Sequence, residues 1–314
     1  MDWSHFGLAR RPFRPAADPL AYFPAPTHEA AAADLDAALS RREPFVLLDG
    51  LPGTGKTLVA RRWLSRLPTA VPRAVLPAVH AARPADLLQA ILFDLNQPYQ
   101  GLSEQELRLA VTAHLLAAAE GGLPTVLLVD EAQHLTAEAL EELRLLANLD
   151  TPAGAAAVAV LVAQPVLRET LAKPAYAALA QRVAARPHLE PLTADQAVKY
   201  LRHQIEAAGG RPLEVFDLEA LDLLARACGG VPRVLNQAAA VAGELAAAVG
   251  SDTVDTEAAV EALGRLSIPV PEEEPAEPAP AARRAGESLP ARPAAGDAGP
   301  ARGTKQKAAR KRSA

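Results

Sequence analysis

Residues 45–57 read FVLLDGLPGTGKT, and residues 126–131 read VLLVDE. Phe45 to Asp49 is a short apolar run that stops at a glycine-rich turn, the pattern of a buried strand. GLPGTGKT, residues 50–57, fits the spacing G-x-x-x-x-G-K-[ST]. Glycines at 50, 53 and 55 let backbone N–H groups turn inward around phosphate oxygens, and some of those turns need positive φ. Residues 56–66 read as a helix, whose positive N-terminal end would face the same phosphates. Gly50, Pro52, Gly53, Thr54, Gly55, Lys56, Thr57 and Leu58 are therefore candidate nucleotide-binding residues. Lys56 would reach the β and γ phosphates, and the Thr57 hydroxyl would hold Mg²⁺.

The second stretch supplies the acids. An apolar strand that ends in two carboxylates is costly unless those carboxylates serve something. Downstream of a phosphate loop, Asp130 is a candidate Mg²⁺ ligand through the ion's water shell, and Glu131 a candidate to polarise the attacking water. If Glu131 is not the base, Gln133 and Gln164 are next in line. The chain has only six lysines, and none lies in the Asn-Lys-x-Asp motif of guanine-specific phosphate-loop proteins. The expected ligand is therefore ATP with Mg²⁺.

Outward from these motifs, strands and helices alternate. Ala74–Val79 is a weaker strand that Pro77 demotes to a sheet edge. Helices are expected near 27–40, 84–95, 104–119, 136–148 and 165–172, with strands at 126–129, 157–162 and 188–191. Ser103 with Glu106, and Thr193 with Gln196, have capping-box spacing. The alternation implies an α/β fold, a five-stranded parallel sheet with helices on both faces. After Leu192 the strands stop, and helices at 194–208, 217–227, 232–248 and 255–265 form a small all-helical unit. The expected divisions are an N-terminal arm and helix over 1–43, a nucleotide-binding domain over 44–192, a helical lid over 193–267 and a tail over 268–314.

The two ends differ from the middle. Trp3, Phe6, Phe13, Tyr22 and Phe23 are five of the twelve aromatic residues, and so much apolar surface should dock on the body. The tail is rich in Pro, Ala, Gly and charge, and is expected to be disordered because it has little apolar surface to offset its ordering entropy. It carries a net +3, which leaves −8 on residues 1–267. Its last ten residues hold three of the six lysines, a basic end suited to DNA or acidic lipid.

Composition bounds the rest. The 314 residues are 50% hydrophobic and 22% charged, with a formal charge of −5, which argues against attachment to nucleic acid by bulk charge. A single cysteine, Cys228, excludes an internal disulfide and a cysteine-rich zinc site. Seven histidines are scattered, and His28-Glu29 lacks the second histidine of a zinc-protease helix. No apolar run reaches about 18 residues and the start lacks a secretory core, so a cytoplasmic protein without an integral membrane segment is expected.

From Asp130-Glu131-Ala132-Gln133-His134-Leu135 a family resemblance emerges. The sequence resembles the AAA+ ATPases of the ExeA-like group, the cytoplasmic ATPase module of general secretion pathway protein A, related to the MuB/TniB transposition ATPases. HFGLARRPFRPAADPLAYFPAPTHEA in the arm, LRLLANLDT at 143–151, AQPVL at 163–167, LAQRV at 179–183 and GGVPRVLN at 229–236 carry it. The resemblance spans about residues 3–266 and implies a P-loop AAA+ sheet followed by a helical lid. It also implies roles. Gln164 resembles the sensor-1 polar residue, Arg182 stands where an arginine finger reaches a neighbouring subunit's ATP with Arg186 as the alternative, and Arg233 resembles the sensor-2 arginine. The candidate catalytic set is thus Glu131, Gln164, Arg182 and Arg233. Ala163 and Val166 depart from the family's more frequent Gly and Glu.

Three functions remain open at this point. The first is an ATP-hydrolysing homo-oligomeric motor or switch, linked to secretion or envelope assembly and acting on an unidentified protein partner. The second is a DNA-bound regulator of transposition or replication, for which Arg10-Arg11, Arg41-Arg42 and Arg61-Arg62 are candidate contacts. The third is a scaffold that does not hydrolyse ATP.

Overall fold

Every residue from Phe45 to Gly50 is buried, as is every residue of Thr125–Val129 and of Ala157–Ala163. Strands this apolar on both sides can only lie at the centre of a sheet covered twice. The computed structural model describes residues 3–15, 21–76 and 83–271. The tail beyond residue 271, and the stretch at 77–79 read as the end of the edge strand, lie outside the described residues.

The strands are β1 (Phe45–Gly50), β2 (Arg73–Leu76), β3 (Thr125–Val129), β4 (Asp150–Thr151), β5 (Gly154–Ala155), β6 (Ala157–Ala163), β7 (Val183–Ala185) and β8 (His188–Leu189). The main sheet runs β2-β3-β6-β1-β7, all parallel, with β8 also alongside β1. It therefore has five positions, and the fifth is made of two short pieces. Pro187, which has no N–H to give a ladder, separates them, while its carbonyl still accepts from Asp49 N at 3.1 Å. The expected single strand at 188–191 is corrected accordingly. The hairpin of β4 and β5 carries no alternating apolar pattern and was not anticipated.

The helices are α1 (Pro26–Ser40), α2 (Lys56–Arg66), α3 (Pro84–Asp94), α4 (Glu104–Glu120), α5 (Ala137–Ala147), α6 (Pro165–Leu171), α7 (Ala177–Ala180), α8 (Ala194–Ala207), α9 (Pro212–Val215), α10 (Leu218–Ala227), α11 (Pro232–Ala248) and α12 (Thr256–Arg265). Both capping boxes form: Ser103 N donates to Glu106 at 2.7 Å, and Thr193 N donates to Gln196 Oε1 at 3.1 Å. Because successive strand residues point to opposite faces, Val46 and Leu48 join α1 and α2 around Leu35, Val59 and Trp63, while Phe45 and Leu47 join α3, α4 and α5 around Leu88, Ile91, Val111 and Leu143.

A third core fills the helical region, and the arm belongs to it. Trp3, Leu8 and Phe13 are buried there with Leu201, Phe216, Leu224 and Leu235. Phe13 meets Phe216 edge-on at 5.8 Å. Gly243 in α11 leaves the room this needs, since a Cβ there would strike the Trp3 indole. The lone cysteine, Cys228, is buried in the same core, and burial pushes its thiol up to about 12, which makes it an inert apolar filler. The described residues belong to one compact unit, and none of its helices is long and apolar enough to cross a membrane.

Candidate nucleotide site

The site forms where the C-terminal ends of β1, β3 and β6 meet the helical region, the place where open parallel sheets take ligands. β1 delivers the chain into the loop 50–55. Gly53 and Gly55 are both left-handed, at φ +85 and +100, and Gly55 caps α2. Positive φ at these glycines is the backbone that a phosphate-cradling turn before a helix N-terminus requires.

Lys56 is buried, and its Nζ donates to the carbonyls of Gly50 and Leu51, each at 2.9 Å. Burial pulls its ammonium below the usual lysine range, and the charges of Glu131 and Asp130 partly oppose that. A cation held this way gains from any anion placed before it. Thr57 Oγ1 donates to Asp130 Oδ1 at 3.2 Å, so the hydroxyl and the carboxylate already share one spot.

Glu131 follows with a left-handed backbone, φ 53 and ψ 40, uncommon for a residue with a Cβ. Its N–H donates to Asp130 Oδ1 at 3.0 Å. Its carboxylate accepts from Gln133 Nε2 at 2.5 Å and from Gln164 Nε2 at 3.5 Å. Partial burial alone would raise this carboxyl. The two amides, with the charges of Lys56 and His134, outweigh it and hold Glu131 below the usual range, ionised at neutral pH.

Most of these groups line one cavity of about 1080 Å³ including its open mouth; Asp130 and Gln133 are hydrogen-bonded to Thr57 and Glu131 and do not line it. Pro52, Gly53, Gly55, Lys56, Thr57, Leu58, Glu131, Gln164 and Arg233 all face it. Arg233 arrives on α11, whose first turn packs on the loop: Arg233 N donates to Gly53 O at 3.3 Å. Gly50 and Thr54 do not line the cavity. Thr54 is fully buried, and its hydroxyl ties back to Leu51 O at 2.9 Å, so it shapes the loop. Arg182 lies outside its own cavity on an exposed turn, and so does Arg186, which donates to Ala180 O at 2.9 Å.

Three groups of residues were not anticipated in the sequence as part of this site. His28, on α1, is buried against the loop and donates from Nε2 to Thr54 O at 2.9 Å. Its place in the quoted arm segment was the available signal. Asp49, fully buried beneath the loop, accepts from Arg168 at 2.6 Å and from His188 Nδ1 at 2.8 Å, and thereby ties β1 to α6 and β8. No spacing rule connects those three positions. Phe23, Tyr200, Gln204 and Asn236 also line the cavity. Tyr200 donates to Asn236 Oδ1 at 2.9 Å and packs edge-on to Phe23 at 5.8 Å.

Residues 39–171 match the family model of the AAA domain. The AAA match includes the loop, Asp130, Glu131 and Gln164, and stops before Arg182 and Arg233. General secretion pathway protein A of Aeromonas hydrophila is 39% identical over 237 residues, which is 74% of this chain and 42% of that protein. The chain thus spans under half the length of this curated relative. The fold is the P-loop AAA+ fold. Among solved structures, Drosophila ORC bound to DNA superposes with a TM-score of 0.66 at 21% identity, over 85% of this chain and 67% of that one. Cdc6p of Pyrobaculum aerophilum gives 0.61 at 20%, over 84% and 71%. The ORC2 protein of Aeropyrum pernix, in ADPNP and ADP complexes, gives 0.59 at 19%, over 76% and 66%.

Proposed function

We propose that this chain binds ATP with Mg²⁺ and hydrolyses the β–γ bond. The observation that carries the reading is the convergence of Lys56, Thr57, Glu131, Gln164 and Arg233 on one cavity, with Asp130 hydrogen-bonded to Thr57 at its edge. Among the described residues no three His, Cys, Asp or Glu side chains are grouped to hold a metal by themselves. Thr57 Oγ1 would offer Mg²⁺ a hard oxygen donor and Asp130, 3.2 Å from it, would hold the ion through its water shell, with phosphates and waters completing the coordination. The ion would neutralise charge on the phosphate oxygens. Lys56 and the loop N–H groups would hold the β and γ phosphates, and Arg233 would face them from α11. Glu131, kept ionised by Gln133 and Gln164, would accept the proton of the attacking water.

The chain works as a homo-oligomer in this reading. Arg182 is exposed and outside its own cavity, which suits a group that completes the next subunit's site. The relation to general secretion pathway protein A supports a switch or motor acting on a protein partner in secretion or envelope assembly. A second reading, regulation on DNA, draws on the likeness to an ORC structure that is itself bound to DNA. Measuring ATP turnover with and without duplex DNA separates the two readings. In either, Glu131→Gln keeps nucleotide binding and lowers turnover by at least about 100-fold, the scale of a lost general base. Near-normal turnover in that variant would refute the assignment of Glu131.

A further inference from the structure

Gln133 touches both halves of the reacting constellation, and its chemistry fixes which end touches which. A carboxylate only accepts and a backbone N–H only donates. The Nε2 end must therefore face Glu131, at 2.5 Å, and the Oε1 end must accept from Gln164 N, at 3.1 Å. One amide thus spans the end of β3 and the start of α6, two neighbouring segments that share no covalent connection here. Gln164 Nε2 closes the triangle on the same Glu131 oxygen at 3.5 Å. Glu131 itself is held in a left-handed backbone that a residue with a Cβ seldom adopts, so something must keep its side chain aimed.

We propose that Gln133 is a positioning residue for hydrolysis: its amide holds the Glu131 carboxylate and the Gln164 backbone at a fixed separation, so that a displacement of Gln164 is passed to the base. The proposal rests on the ATPase reading above. It explains why this position needs an amide of this length. A glutamate would keep the acceptor for Gln164 N but lose the donor to Glu131. A methionine would keep the length and lose both. Neither change removes a group that faces the cavity, because Gln133 does not line it.

The test uses the full chain with Gln133→Met and Gln133→Glu, assayed for kcat and KM with ATP and for affinity toward a non-hydrolysable ATP analogue. Both variants are expected to lose about 10–100-fold in kcat, the penalty of a reacting group misplaced by up to an ångström. KM and analogue affinity should stay within about threefold. On a Glu131→Gln background, Gln133→Met should lower the residual rate no further, because the two act as one unit. A kcat within twofold of wild type in both variants would overturn the proposal. So would the same loss on both backgrounds, or a loss in analogue affinity as large as that in kcat. Wild type that binds the analogue yet turns over no ATP would overturn the hydrolysis reading and this inference together. Active wild type with equally active variants overturns this inference alone.

Discussion

Gly53→Ala probes the contact between the phosphate loop and the helical region. Gly53 sits at φ +85, where a Cβ costs about 1–2 kcal/mol of backbone strain. That Cβ would also lie 2.8 Å from Arg233 Cβ and 3.1 Å from Val231 Cγ1. Overpacking of this kind costs about 1–3 kcal/mol, and the first turn of α11 is what must give way. If about 2 kcal/mol of that is relieved by Arg233 moving off the loop, nucleotide affinity falls about 30-fold. Gly122→Ala is the control. It has nearly the same φ, +90, but nothing lies within 4 Å of its added Cβ and it does not line the cavity. Calorimetric titration with a non-hydrolysable ATP analogue and a thermal melt are run on both. Both variants should melt a few degrees lower, at about 2–4 °C per kcal/mol for a chain of this size. Only Gly53→Ala should lose affinity. Equal affinity in the two variants would refute the claim that Arg233 is seated through Gly53.

Burial holds His28 below its ordinary 6.5, with the Thr54 carbonyl only partly opposing that. Its neutral ring thus contributes stability that is complete above pH 6.5 and is lost as pH falls from 6.5 toward the lower folded value. The melting temperature should fall more between pH 7.5 and 5.5 in wild type than in His28→Gln, and parallel curves would contradict the assignment. Arg182→Ala should bind nucleotide normally and lose about 10³-fold or more in turnover, the scale on which an arginine stabilises the transferred phosphoryl group. Mixed with Lys56→Ala it should recover part of the activity, since an assembly can then pair an intact Arg182 with an intact loop. No recovery, with wild-type turnover independent of protein concentration, would return Arg182 to the surface.

The elements that could be read from the sequence are those in which local and global demands coincide. Phe45–Leu48 and Ala157–Ala163 are apolar throughout because both faces are covered, and a glycine-rich turn followed by Lys56-Thr57 has few uses other than phosphate. Ser103 and Thr193 state their helix starts in side-chain chemistry alone. The unread parts depend on proximity through space. Asp49 looks like the last residue of a strand until Arg168 and His188 arrive from 119 and 139 residues away. The break at Pro187 turned one expected strand into two, because the strand pattern of 188–191 did not show that Val183–Ala185 shares the same edge of β1. Gln133 was visible only as a spare candidate for the base. Its two-ended bridge requires knowing that the start of α6 lies beside the end of β3.

The central claim is that one cavity, organised by Lys56, takes MgATP. The direct measurement is the thermal shift of wild type and Lys56→Ala on adding MgATP. At 100 times Kd, wild type should gain about 2.7 kcal/mol of stability, or about 5–10 °C. Lys56→Ala should gain almost nothing, because the one buried ammonium in the loop is gone. An equal shift in the two proteins would contradict the account.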